Sequence, residues 1–247
     1  MTNTLHRYGD ADSFRDDYVI FAICCRGKND EGSAPRLRRF LEMALPFKPV
    51  NLGDARNGGA LRASKSMNPA SHWKRDTRPD FRAVIDGLKH PTTAAAVFDN
   101  RVAAEDFLKA VKAADLGLSV NISTSIDGAD QCCHEAGVCR HSVGYSLGFE
   151  GRTDHLPSED VLKLSTMCGH GMVSASFAKK MIDWVKEGRR TPDEAATYMT
   201  RFCSCGVFNP SRAKRILEDA RSRQREGAGV TGNSALRAAR RPGEGVN

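Results

Sequence analysis

The sequence predicts a mixed α/β (α+β) fold: a ferredoxin-like βαββαβ unit with an added αβ crossover, followed by a three-helix C-terminal segment. Three observations carry that prediction. Short β-rich apolar runs alternate with amphipathic helical stretches through the first 150 residues. A Gly-, Asn-, Arg- and Pro-rich stretch interrupts that alternation at residues 53–92. The last third has helical periodicity with clear start and stop signals. Strand order is not written in the pattern, so a doubly wound sheet is the alternative topology.

The elements follow in order. Residues 18–25 form a continuous apolar run bounded by polar residues, the pattern of a buried strand. Residues 35–45 place Leu37, Phe40, Leu41 and Ala44 on one helical face. Residues 47–52 read as a second strand, and 53–92 as a long loop or insertion with Trp73 and Phe81 as isolated anchors. Alternation resumes with a strand at 94–99, a helix at 103–114, a strand at 116–123, a helix at 128–136 and a further strand at 142–147. A helix at 169–187 then buries Val173, Phe177, Met181, Trp184 and Val185 and stops at Gly188. The next opens on a capping box, Thr191 and Glu194 around Pro192, and buries Ala195, Met199 and Phe202. The third starts at Asn209-Pro210 and buries Ala213, Ile216, Leu217 and Ala220. The expected organisation is a sheet domain at 1–150, a helical segment at 151–222 and a disordered basic tail at 223–247.

Composition bounds the function. The chain has 247 residues, 40% hydrophobic and 27% charged, as a globular protein with a sizeable core does. No apolar run approaches the roughly 20 residues of a membrane helix, and residues 1–17 lack the apolar stretch of a secretory signal. A cytoplasmic location without membrane contact is expected. The net charge of +7 is concentrated at the end, where residues 221–247 carry six Arg and two Glu. A solvated tail of that kind touches nucleic acid non-specifically, so specific nucleic-acid recognition is not expected. Partners are expected to be a small-molecule substrate or another protein.

Eight cysteines in a reducing compartment point to ligands, catalysts or core residues rather than disulfides. Cys168-Gly169-His170-Gly171 and Cys203-Ser204-Cys205-Gly206 stand at the joints of the helical segment. A helix over 169–187 is on the order of 28 Å long and the next returns roughly 16 Å, so Cys203 and Cys205 can arrive near Cys168. Helix N-termini there would lower thiol pKa values and favour thiolates. Cys168, Cys203 and Cys205, with His170 or a fourth thiol, make a four-ligand set. Three Cys and one His suit zinc; four thiolates suit zinc or an iron–sulfur cluster. Cys25, at the carboxyl end of the first strand, is the candidate fourth thiol. Cys132, Cys133, His134, Cys139 and His141 form a second dense cluster, part of which a short helix would turn into the core.

Met167-Cys168-Gly169-His170-Gly171 resembles the Met-Cys-Gly-His-Gly motif of the proline racemase and hydroxyproline epimerase family. The resemblance implies that Cys168 is a thiol acid/base moving a substrate α-proton, with Gly169 and His170 shaping an anion pocket. It covers five residues, and the family's second motif, Asp-Arg-Ser-Pro-Cys-Gly-Thr-Gly, has no counterpart. It reads as shared local physics rather than membership.

Three functions follow. The first is a metal-dependent enzyme or accessory protein, iron–sulfur ahead of zinc, using Cys168, Cys203 and Cys205. The second is a metal-free thiol enzyme with Cys168 as acid/base or nucleophile and His170 or His141 as partner. The third is a binding or cluster-delivery protein.

Overall fold

The computed structural model describes residues 5–61 and 80–238. Among them run β1 (Tyr18–Ile23), α1 (Ser33–Ala44), β2 (Asn51–Asp54), β3 (Gly58–Gly59), α2 (Phe81–Gly87), β4 (Thr93–Phe98), α3 (Arg101–Ala114), β5 (Ser119–Ser123) and α4 (Ile126–Glu135). Four helices follow: α5 (Glu159–Ser165), α6 (Ala175–Lys186), α7 (Pro192–Thr200) and α8 (Pro210–Ala238). The mixed α/β class is therefore present, as one five-stranded sheet in the order β3-β2-β4-β1-β5. Every neighbouring pair is antiparallel.

The sheet is covered on both faces, because side chains alternate along each strand. Ile20 and Ala22 of β1, with Ala94, Ala96 and Phe98 of β4, pack on Leu37, Phe40, Leu41, Phe107 and Val111 of α1 and α3. Val19 and Phe21, with Ala95 and Val97, meet Leu164, Met181, Val185, Met199, Phe208 and Leu217 from the C-terminal helices and their joints. Each fully buried side chain of this size contributes about 1.5–3 kcal/mol. The C-terminal helices thus share a core with β1 and β4.

Local signals place most helix ends. Asn100 caps α3 through Ala103 N–H, Ser125 caps α4 through Gly128 N–H, and Thr191 and Glu194 form the expected capping box on α7. Gly188, at φ 74°, ends α6 as expected.

Four expectations are corrected. Residues 142–147 form no strand: their backbone has no strand partner, and Val143, Tyr145 and Leu147 are exposed. Period-two alternation there is not paired with any strand, β5 at the sheet edge included, so the added crossover is not built. The helix expected from 169 begins at Ala175, capped by Ser174, because Gly169 and Gly171 both take left-handed φ values. Leu45–Phe47 is a 3₁₀ turn, so the second strand starts at Asn51. The 53–92 stretch contains β3 and α2; Trp73 and residues 62–79 lie outside the described residues. Two further findings concern the C-terminal third. The short helix α5 was not expected, and α8 runs to Ala238, into the segment read as a basic tail; residues 239–247 of that tail also lie outside the described residues. No helix among the described residues is long and apolar enough to cross a membrane.

Candidate functional site

Two loops on the helical side of the sheet bring the chemistry together. The first, residues 166–174, joins α5 to α6 and carries Cys168 and His170; the second, residues 201–209, joins α7 to α8 and carries Cys203 and Cys205. Both are seated by glycines. Gly206 has φ +73°, and a Cβ on it would lie 2.4 Å from the Cα of Gly53 and 2.9 Å from that of Gly59. A Cβ on Gly53 would in turn come within 2.6 Å of the Cys205 carbonyl oxygen. The Cys205-Gly206 turn therefore lies backbone to backbone on the β2–β3 hairpin, a contact open only to glycine. Asn51 of β2 adds a hydrogen bond from Nδ2 to the Phe208 carbonyl at 2.9 Å. Gly169, at φ +73°, lets its loop pass under the N-terminal segment, where a Cβ would meet Leu5 Cα at 2.8 Å.

The sulfurs form a hydrogen-bonded row. Cys203 Sγ lies 3.5 Å from Cys205 Sγ, a hydrogen bond that either thiol can donate, and Cys168 is hydrogen-bonded to Cys203 on the other side. Cys205 Sγ lies 3.2 Å from His170 Nδ1. Cys168, Cys203 and Cys205 are 0%, 1% and 9% exposed, whereas His170 faces solvent. Of the predicted residues, these four are brought together.

The row polarises its members differently. Its bond to Cys203, with burial and the Cys203 charge, raises the Cys168 pKa far above that of a free thiol, although the N–H groups of His170 and Met172 face its sulfur. Cys203 gains from the Cys168 donor, but its own bond to Cys205, burial and the Cys205 charge outweigh that and raise it to about 11. Cys205 ends the row: the Cys203 donor lowers its pKa below that of a free thiol, against burial and Cys168, with help from the Val207 N–H. Cys205 is thus the thiol of the row whose pKa is lowered, whereas those of Cys168 and Cys203 are raised. The helix-terminus argument is corrected here, since loop amides, not the start of α6, face these sulfurs.

Thiol sulfur and imidazole nitrogen are donor types that thiophilic ions take. Zinc–sulfur bonds of about 2.3 Å in a tetrahedron put sulfurs about 3.8 Å apart, close to the separation of Cys203 and Cys205. Among the described residues, no group of three or more His, Cys, Asp or Glu side chains is arranged to hold a metal ion. Beside the site is a crevice of about 30 Å³, water-sized, lined by His170 and Cys205 with Leu5, Phe21, Ile23 and Val207.

The remaining thiols sit elsewhere. Cys25 lies exposed in the loop after β1, its sulfur 3.9 Å from the Arg26 carbonyl and its N–H on Asn29 Oδ1, with no polar contact to the row. β1 ends at Ile23, and the chain turns away before Cys25. Cys132 and Cys133 both face the core, and burial raises the pKa of each, that of Cys132 to about 12. His134, Cys139 and His141 are exposed, and among the described residues the five do not gather into a metal-holding group. All eight thiols are free.

Sequence reading missed the residues that seat the loops. Gly53, Gly59 and Gly206 gave only a glycine-rich signal, and Arg7, which bonds the Met167 carbonyl at 3.0 Å, gave none. No protein-family model matches the chain, and no curated protein or solved structure matches it either.

Proposed function

We propose that this chain binds one divalent thiophilic metal ion, zinc, through Cys168, Cys203 and Cys205 sulfur and His170 Nδ1. The observation that carries the proposal is Cys205 Sγ in simultaneous contact with Cys203 Sγ at 3.5 Å and His170 Nδ1 at 3.2 Å. Sequence alone favoured an iron–sulfur cluster. Sulfurs in mutual contact favour a single ion instead, because each iron of a four-iron cluster takes its own thiolate. Three buried thiolates give a site closed on the protein side, and the exposed imidazole is its labile corner. A bound ion would supply Lewis-acid chemistry, and His170, exposed to solvent, is the donor that a small-molecule substrate from solvent could replace. A protein partner would approach the same open side. The unpaired thiols support a reducing compartment such as the cytoplasm. We also read the four longer strands, in the order β2-β4-β1-β5, as a ferredoxin-like arrangement.

A second reading rests on a separate observation. Cys205 is the most acidic thiol of the row, and it lines the crevice together with His170. Without metal the two are placed, 3.2 Å apart, as a thiol and imidazole pair of the kind that serves nucleophilic catalysis, with Cys205 rather than Cys168 as nucleophile.

Metal analysis of anaerobically purified protein, with each of the four ligands replaced in turn by serine or alanine, separates the readings. One zinc per chain, lost in each variant, together with a cobalt form showing thiolate charge-transfer absorption, supports the first. A brown iron-containing protein would return the iron–sulfur reading. A folded, metal-free chain that binds neither zinc nor cobalt removes both and leaves the dyad.

A further inference from the structure

The sulfur row also has the layout of a redox relay, which needs no metal ion. A relay takes a thiol that an oxidant can reach and further thiols in contact behind it. Cys205 is the reachable one: it lines the crevice beside His170, whose Nδ1 stands 3.2 Å from its sulfur. Cys203, 1% exposed, lies behind it at a sulfur–sulfur distance of 3.5 Å. A disulfide bond is about 2.05 Å long, so closure shortens that contact by about 1.5 Å. Cys168, fully buried in the α5–α6 loop, is hydrogen-bonded to Cys203 from the other side.

The crevice selects the oxidant. Its volume of about 30 Å³ holds roughly one or two molecules the size of water, and Leu5, Phe21, Ile23 and Val207 make much of its wall apolar. Hydrogen peroxide, two oxygens without a substituent, suits that space. A glutathione disulfide is far too large for it. Cys25 and Cys139, by contrast, are open to solvent and stand outside the row.

We propose that Cys205, Cys203 and Cys168 form a relay that hydrogen peroxide oxidises to a disulfide joining the α5–α6 and α7–α8 loops. The Cys205 sulfur takes one peroxide oxygen as the O–O bond breaks, giving a sulfenic acid, and the other oxygen leaves as water with the thiol proton. The Cys203 sulfur then displaces the hydroxyl: an S–S bond forms, the S–O bond breaks, and a second water leaves with the Cys203 proton. Next the Cys168 sulfur attacks Cys203, bonding to it and releasing Cys205, which takes the Cys168 proton. Two thiols lose one electron each, and the peroxide gains both. The exchange trades a small ring, closed over Ser204 alone, for a bridge between two loops that the fold already holds together. Cys205 is left as a thiol on the crevice. The relay rests on the sulfur contacts and not on the metal reading.

The test uses the full chain, reduced, stripped of metal by a chelator and kept anaerobic until peroxide is added. One equivalent of hydrogen peroxide is expected to remove two of the eight thiols, and peptide mapping to find Cys168 bridged to Cys203. The yield at fixed peroxide should be unchanged by about tenfold dilution of the protein, because sulfurs in contact react within one chain. Cumene hydroperoxide, too bulky for the crevice, is expected to form the bridge at least about tenfold more slowly. Cys168→Ala should leave Cys203 bridged to Cys205, and Cys203→Ala a sulfenic acid at Cys205 that dimedone traps. Oxidation confined to Cys25 and Cys139, or a parent chain whose bridge omits Cys168, overturns the relay; both are read on the parent chain, whatever the folding of the variants. Zinc binding with no peroxide-driven bridge in the stripped chain overturns the relay and keeps the metal reading. A bridge in a chain that binds no zinc does the opposite.

Discussion

Gly206→Ala tests the seat of the Cys203–Cys205 loop most directly. An alanine there is expected to destabilise the fold by two separable effects. Its φ of +73° costs a non-glycine residue about 1–2 kcal/mol. Its Cβ would stand 2.4 Å from Gly53 Cα and 2.8 Å from Gly53 N, backbone atoms in a sheet strand that cannot rotate aside. Relieving such an overlap costs about 1–3 kcal/mol more. The matched control is Gly188→Ala, where φ is +74° and nothing lies within 4 Å of the added methyl, so only the conformational cost remains. Urea unfolding of both variants in metal-free protein reads the difference as a shift in midpoint at constant slope. Gly206→Ala is expected to lose about 2–5 kcal/mol and Gly188→Ala about 1–2 kcal/mol. At roughly 2–4 °C per kcal/mol for a chain of this size, the first falls by about 4–20 °C in Tm. Equal losses in the two variants would refute the argument that Cys205 is held by backbone packing on the β2–β3 glycines.

Three further outcomes follow from the same geometry. Alkylation of metal-free protein should modify Cys205 ahead of Cys203 and Cys168, with a rate that levels off at lower pH than for a free thiol; peptide mapping that finds Cys168 labelled first contradicts the hydrogen-bond order. Folded pKa values raised to about 11 at Cys203 and about 12 at Cys132 make the protein alkali-labile. Unfolding releases these protons at lower pH than the native state does, so stability is intact below about pH 9 and declines toward pH 11–12; Cys132→Ala should flatten that decline in denaturant titrations run across the range. Thr191→Ala removes one half of the α7 capping box and should cost about 1 kcal/mol, measured by thermal unfolding, with zinc binding unchanged.

What the sequence by itself determined is local. The caps of α7 and the stop of α6 depend on residues within a few positions of one another, and β1 and β4 on apolar runs long enough to be buried on both faces. The helix ends satisfy their own backbone from nearby residues, and the two apolar runs are long enough to mark buried strands, so both patterns were readable. Alternation at 142–147 was equally readable and misled, because a strand needs a neighbour and the pattern does not say whether one is free. Tertiary structure alone decided the site's interior. Cys168 and His170 meet Cys203 and Cys205 across more than thirty residues of sequence, Gly206 meets Gly53 across about one hundred and fifty, and Arg7 reaches Met167 across one hundred and sixty. The physical reason is that each of these contacts depends on how the helical layer docks on the sheet. That docking is set by the summed burial of Val19, Phe21, Val97 and their partners rather than by any short segment.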